Sequence, residues 1–184
     1  MESDKPISHL TERIKMRLLI AAFLAVFVCL AGAADNPVLR TGSLTLTFEP
    51  EWQFTPGQQR AEGHGPQGEF VIMNYRTLLP NAPADVVEHH WQTIRGFAAQ
   101  KMPGIAAAHM NEVRRPLTET PLPEGRVQFS TVSQGKKMLR DYYFLQYLLG
   151  SQRSMVYMTV EGYGNAEAAA QRFERILATQ QWTE

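Results

Sequence analysis

The chain predicts an α+β fold: an antiparallel β-sheet flanked by helices, arranged as an α/β/α sandwich. Three observations carry that expectation. Residues 126–162 hold three strand-like runs in direct succession, and connections that short join antiparallel neighbours. Two segments, one before and one after these runs, carry apolar residues at helical spacing. Several strands are apolar on both alternating faces, so they need cover on each side.

The elements read as follows. Leu44-Thr45-Leu46-Thr47-Phe48 alternates apolar with β-branched polar residues, the period of a half-buried strand. Pro56-Gly57 marks a turn, and residues 62–68, with three glycines and a proline, read as a loop. A second strand over 69–76 sets Phe70, Ile72 and Asn74 on one face and Val71, Met73 and Tyr75 on the other. That pattern predicts burial of both faces. Pro80-Asn81-Ala82-Pro83 then starts a helix, with Asp85 and Glu88 in its first turns. Val87, Trp91, Ile94 and Ala98 form its stripe, with Phe97 beside them, and Pro103-Gly104 is expected to end it.

Residues 105–123 are the least legible. Ala106-Ala107-Ala108 reads as an added helical turn, and 112–120 as a strand interrupted at Pro116. Strands follow over 126–133, 140–149 and 154–162, with turns placed at Gln134-Gly135 and Gly150-Ser151. The middle strand is apolar at nearly every position and is expected to be central. Asn165 caps a closing helix whose buried stripe is Ala169, Phe173, Ile176 and Leu177.

Composition narrows the function classes. Lys plus Arg equals Asp plus Glu at 18 each, so the net charge is zero. A nucleic-acid partner is therefore not expected, since it would require a concentrated cationic excess. The one cysteine, Cys29, lies in an apolar N-terminal run, and the remaining chain holds no thiol for disulfides, zinc-thiolate sites or a cysteine nucleophile.

That run reads as an address. Lys15-Met16-Arg17 is basic, residues 18–30 are apolar and uncharged, and Ala31-Gly32-Ala33 supplies the small residues of a cleavage site before Ala34. The run is about 13 residues long against the roughly 20 that span a bilayer. The expectation is a signal peptide over 1–33, with Met16 as the alternative true start, and a single α+β domain over 34–184. The protein would then be periplasmic; the alternative is an inner-membrane anchor. Val26-Phe27-Val28 before Cys29 fits a lipid-modification site poorly.

The order of elements resembles the Mog1/PsbP-like group, to which the bacterial DcrB-like proteins belong. The similarity rests on residues 44–52, the helix over 84–102, and the meander with Arg140-Asp141-Tyr142-Tyr143 and Met155-Val156-Tyr157-Met158-Thr159. The helix with Phe173-Glu174-Arg175-Ile176-Leu177 completes it. The resemblance implies helices flanking an antiparallel sheet, used mainly to bind other proteins. Some DcrB-like members resemble cytoplasmic chaperones for apolar helices of secreted toxins; the export segment here departs from that pattern.

Catalytic and metal motifs are sparse. His89 and His90 project about 100° apart on a helix, so they do not share one ion comfortably, and His64 and His109 are remote in sequence. No Gly-x-Ser-x-Gly elbow is present, and Gly63-His64-Gly65 lacks the spacing of a phosphate loop. No catalytic residue, metal ligand or cofactor is expected. Lys136, Lys137 and Arg140 form a basic cluster at a hairpin, with Tyr142 beside it. A solvated tip is one reading, and a contact for an acidic partner or a lipid headgroup the other. The functional expectation is an exported, non-catalytic binding or accessory protein, an envelope factor or a toxin-neutralising protein. Its partner is another protein, and it meets the membrane only through its N-terminal segment. The alternative is a periplasmic hydrolase whose site the sequence does not display.

Overall fold

The computed structural model describes residues 35–183. The export reading, including residues 18–30, Met16, Cys29 and the cleavage site, lies outside the described residues. Among them no helix is long and apolar enough to cross a membrane.

Among the described residues ten strands and three α-helices follow one another. A short hairpin, β1 (Val38–Thr41) and β2 (Leu44–Thr47), is joined by the C-terminal β10 (Gln181–Trp182) into a three-stranded sheet. The main sheet has seven strands. Its members are β3 (Gln53–Pro56), β4 (Arg60–His64), β5 (Phe70–Thr77), β6 (Glu112–Pro121), β7 (Val127–Lys137), β8 (Arg140–Gly150) and β9 (Ser154–Tyr163). Their order is β3-β4-β5-β9-β8-β7-β6, with every pairing antiparallel.

Both faces of this sheet carry helices, as the two-sided apolar strands require. On one face α3 (Ala166–Leu177) buries Ala169, Phe173, Ile176 and Leu177 against Tyr143, Leu145, Tyr147, Val156, Met158 and Val160, with Leu44 and Leu46 of the small sheet joining them. Asn165 Oδ1 accepts from Ala168 N at 2.9 Å and caps this helix, as its sequence position predicts. On the other face α1 (Ala84–Gly96) runs through a π-helical turn (Phe97–Lys101) into α2 (Met102–His109). Ile94, Ala98 and Met102 pack there on Val127, Phe129, Leu148 and Tyr157.

Four local readings need correction. The helix does not stop at Pro103-Gly104. Pro103 falls in the first turn of α2, where a missing N–H is harmless, and the π turn absorbs the change of register. Residues 62–64 are strand rather than loop: Gly63 lies beneath the Phe54 ring, where a β-carbon would collide, so this glycine serves packing. Gln134-Gly135 is not a turn, because β7 continues to Lys137, with Gly135 opposite Tyr142 and a Cβ there only 3.2 Å from Met110 Sδ. The chain reverses instead at Met138-Leu139.

The fourth correction concerns β5. Its Val71 and Met73 face is buried, but Phe70 and Ile72 are only half-buried and Asn74 is exposed. The α1–π–α2 layer covers β7, β8 and β9 and leaves the β4–β5 side of that face open. The edges are β3 and β6, and each carries proline (Pro56; Pro116 and Pro121), where a missing N–H interrupts no ladder. The pairing of β6 slips on either side of Arg115, next to Pro116.

Candidate functional site

The uncovered side of β5 forms a cleft of about 650 Å³. Asn74, Arg76, Met155 and Tyr157 form its floor, placed side by side because Asn74 pairs with Tyr157 and Arg76 with Met155 across β5 and β9. Thr93 and Phe97 from the helical layer form the wall, and Gln59 and Arg60 close the rim. A second hollow of about 530 Å³ lies beyond Arg76, lined by Leu78, Leu79, Pro80, Ala82, Pro83 and Val86. Arg76 belongs to both, so they read as one groove with a cation at its middle.

A buried polar network holds the groove wall in place. Phe97 meets the Tyr157 ring edge-on at 4.8 Å. Tyr157 Oη donates to Gln146 Oε1 at 2.6 Å, while Gln146 Nε2 donates to Met102 O at 3.0 Å and to Thr131 Oγ1 at 2.9 Å. One fully buried amide therefore ties the first residue of α2, where the π turn ends, to β7, β8 and β9. Burial pushes the Tyr157 hydroxyl pKa well above its ordinary value, so the group stays a neutral donor. Arg60 is held by Glu62 at 2.8 Å, whereas Arg76 has no ion-pair partner among the described residues. The groove thus offers aromatic, thioether and aliphatic surface with guanidinium and amide donors. That chemistry suits a partly acidic, partly apolar ligand.

The basic cluster expected from sequence is assembled at the end of the β7–β8 hairpin. Lys137 pairs with Arg140 and Lys136 with Asp141 across the two strands. Lys137 Nζ lies 4.7 Å from the Tyr142 ring centre, and the Arg140 guanidinium 4.4 Å from that of Tyr163. The two rings meet edge-on at 5.1 Å, and Tyr142 Oη donates to Glu161. Desolvation, then that hydrogen bond to a carboxylate, raise the Tyr142 pKa. Lys136, Lys137, Arg140 and Tyr142 are therefore neighbours, joined by Tyr163 and Glu161, which the sequence did not single out.

A third constellation was invisible in the sequence. Arg172 of α3 donates to Glu49 at 2.5 Å and to Glu69, lies over the Trp52 ring at 5.9 Å, and brings together groups more than 100 positions apart. The histidines do not converge: His89 is exposed, His90 is buried, and His64 lies against Phe70. The His109 side chain is outside the described residues. Among those residues no group of three His, Cys, Asp or Glu is placed to hold a metal.

Neither a family model nor a curated protein matches the chain. Solved structures do. Cyanobacterial PsbP (CyanoP) from Synechocystis sp. PCC 6803 superposes with a TM-score of 0.53 at 8% identity, over 83% of this chain and 95% of that one. The chain has a PsbP-like fold. A Bacteroides thetaiotaomicron protein gives a TM-score of 0.49 at 6% identity over 83% of this chain, which spans only 49% of that longer structure. A Pseudomonas aeruginosa protein of unknown function gives 0.34 at 10% identity, over 79% and 94% of the two chains. At 8% identity the feature shared with the cyanobacterial PsbP is the helix-flanked antiparallel sheet, and side-chain chemistry has to be read from this chain alone.

Proposed function

We propose that this chain is an exported, non-catalytic binding protein of DcrB-like type, whose groove between β5 and the helical layer holds an extended acidic and apolar segment of another protein. The groove itself carries the reading: two adjoining hollows lined by Phe97, Tyr157, Met155, Leu79 and Val86, with Arg76 between them. Apolar pockets on either side of one cation fit an extended segment with a carboxylate between apolar side chains. The walls are built in advance by the Gln146 network, which lowers the ordering cost of binding. The basic N-terminal flank, the short apolar run and the small residues before Ala34 support an activity beyond the cytoplasmic membrane.

The test is site-specific photocrosslinking in living cells. A photoreactive residue at Asn74 should give a discrete protein adduct that R76E removes, and the same residue at Gln171 on the outer surface of α3 should give none. Equal adducts at both positions, or none at Asn74, would refute the groove as the binding site. N-terminal sequencing of the protein recovered from the periplasm should begin at Ala34; unprocessed chain in the cytosol would overturn the export reading.

A further inference from the structure

At the β7–β8 reversal the two central residues are Met138 and Leu139, 84% and 94% exposed. Both have positive φ, 54° and 63°, the mirror-image turn that joins two strands tightly and that normally takes Asn-Gly. Apolar side chains are therefore kept in water, in a backbone state that costs them strain, at the outermost point of a hairpin. Folding alone favours neither choice.

The surroundings say what the tip meets. Lys136, Lys137 and Arg140 surround the two apolar side chains. Asp141 and Glu161 are the nearby carboxylates, the first opposite Lys136 and the second occupied by Tyr142 Oη. Just behind them Tyr142 and Tyr163 present half-buried amphipathic rings. Two apolar residues leading, cations next and tyrosines behind match the depth order of a bilayer surface: acyl chains, anionic headgroups, interface.

A second observation is independent of the tip. Phe48 N donates to Pro37 O at 2.9 Å, and Glu49 and Glu69 are both held by Arg172, so the chain enters the fold at the end of the sheet where β5 begins. The β1–β2 turn lies at the other end, where Ser43 Oγ donates to Ser154 Oγ at 2.6 Å. Because Phe70 pairs with Glu161 and Tyr142 with Tyr163, the β7–β8 reversal lies at the entry end. Seven residues, 31–37, separate the apolar run 18–30 from β1. The described chain therefore begins at the end of the sheet that presents Met138 and Leu139.

We infer that the Met138–Leu139 tip, with Lys136, Lys137 and Arg140, is a contact for an anionic lipid bilayer. The contact is separate from the N-terminal segment and does not depend on the groove assignment. It would hold the domain against the membrane with the β7–β8 end down.

The test uses the chain from Ala34, the form the export reading predicts and one without cysteine, with an environment-sensitive fluorophore on Asp141→Cys, mixed with vesicles of phosphatidylcholine alone or with phosphatidylglycerol. The expected result is a blue shift and shielding from an aqueous quencher with phosphatidylglycerol vesicles only, while the same fluorophore on Gln171→Cys stays accessible in both. The triple change K136Q/K137Q/R140Q should raise the lipid concentration for half-shielding on the order of 100-fold, about fivefold per cation lost. The pair M138N/L139G suits the turn better. It should raise the thermal midpoint and yet abolish shielding, which separates binding from folding. Shielding that persists in M138N/L139G, no shielding with phosphatidylglycerol, or shielding produced only by added polyglutamate would each overturn the inference.

Discussion

Arg172 on α3 is ion-paired with Glu69, a carboxylate 2% exposed at the start of β5. Glu69 Oε2 also accepts from Gln67 N at 2.8 Å, and the second arm of Arg172 holds Glu49 just after β2. Three chain segments thus meet on one guanidinium. Removing it would leave a buried charge without its counter-ion. R172L should destabilise the fold by about 3–5 kcal/mol, whereas the double change R172L/E69M should cost much less, because no unpaired charge is left buried. Urea unfolding of both variants and of E69M completes the cycle; equal losses for R172L and the double change would remove the pair from its proposed role.

The Gln146 amide is the hub under the groove wall. Q146L leaves Tyr157 Oη, Met102 O and Thr131 Oγ1 without that partner, and the loss should be about 3 kcal/mol. Hydrogen exchange should quicken first where the π turn meets α2, around Met102, which loses its link to the sheet. Uniform quickening across β7, β8 and β9 instead would show that the amide supports the sheet and not the groove wall.

Asn165 makes the N-terminal cap of α3. N165A should cost about 1 kcal/mol, and N165D should be close to neutral, because either oxygen can accept from Ala168 N. A thermal midpoint unchanged in N165A would mean that α3 is held by its apolar face alone.

Alkaline pH should unfold the protein through its tyrosines. Tyr142, Tyr143, Tyr147 and Tyr157 all have pKa values raised above the ordinary 10.0, and burial is the largest cause for each. Their neutral forms therefore stabilise the fold. That contribution is fully present below the unfolded value near 10 and is lost as pH rises from there toward the folded values. Ultraviolet titration of the tyrosinate band should show these rings ionising together with loss of ellipticity, not before it. Early ionisation in a chain that is still folded would contradict the burial.

Much of the fold was legible because it follows local periodicity. The alternation at 44–48, the stripe from Val87 to Ala98, the Asn165 cap and the three late strands all appear where their patterns put them. The errors share one cause. Gly63, Pro103 and Gly135 look like breaks, but each answers a requirement from elsewhere: room for Phe54, a place in the first turn of α2, and room for Met110. The groove escaped notice because an open β5 face depends on how far a helix layer extends, which no residue on β5 records. The Arg172 cluster escaped because its members are scattered along the chain. At the tip Lys136, Lys137, Arg140 and Tyr142 were legible from charge and spacing, while Met138-Leu139 was hidden by taking the reversal to be at Gln134-Gly135.

The sequence by itself determined the fold class, the closing helix and its cap, and the basic character of the β7–β8 end. Hydrophobic period and capping chemistry act over a few residues and can be read along the chain. Only the tertiary structure decided which strand face stays open, which carboxylates Arg172 joins, and which end of the sheet carries both the chain's entry and Met138-Leu139. Those are relations between segments far apart in sequence, fixed when the layers pack and not before.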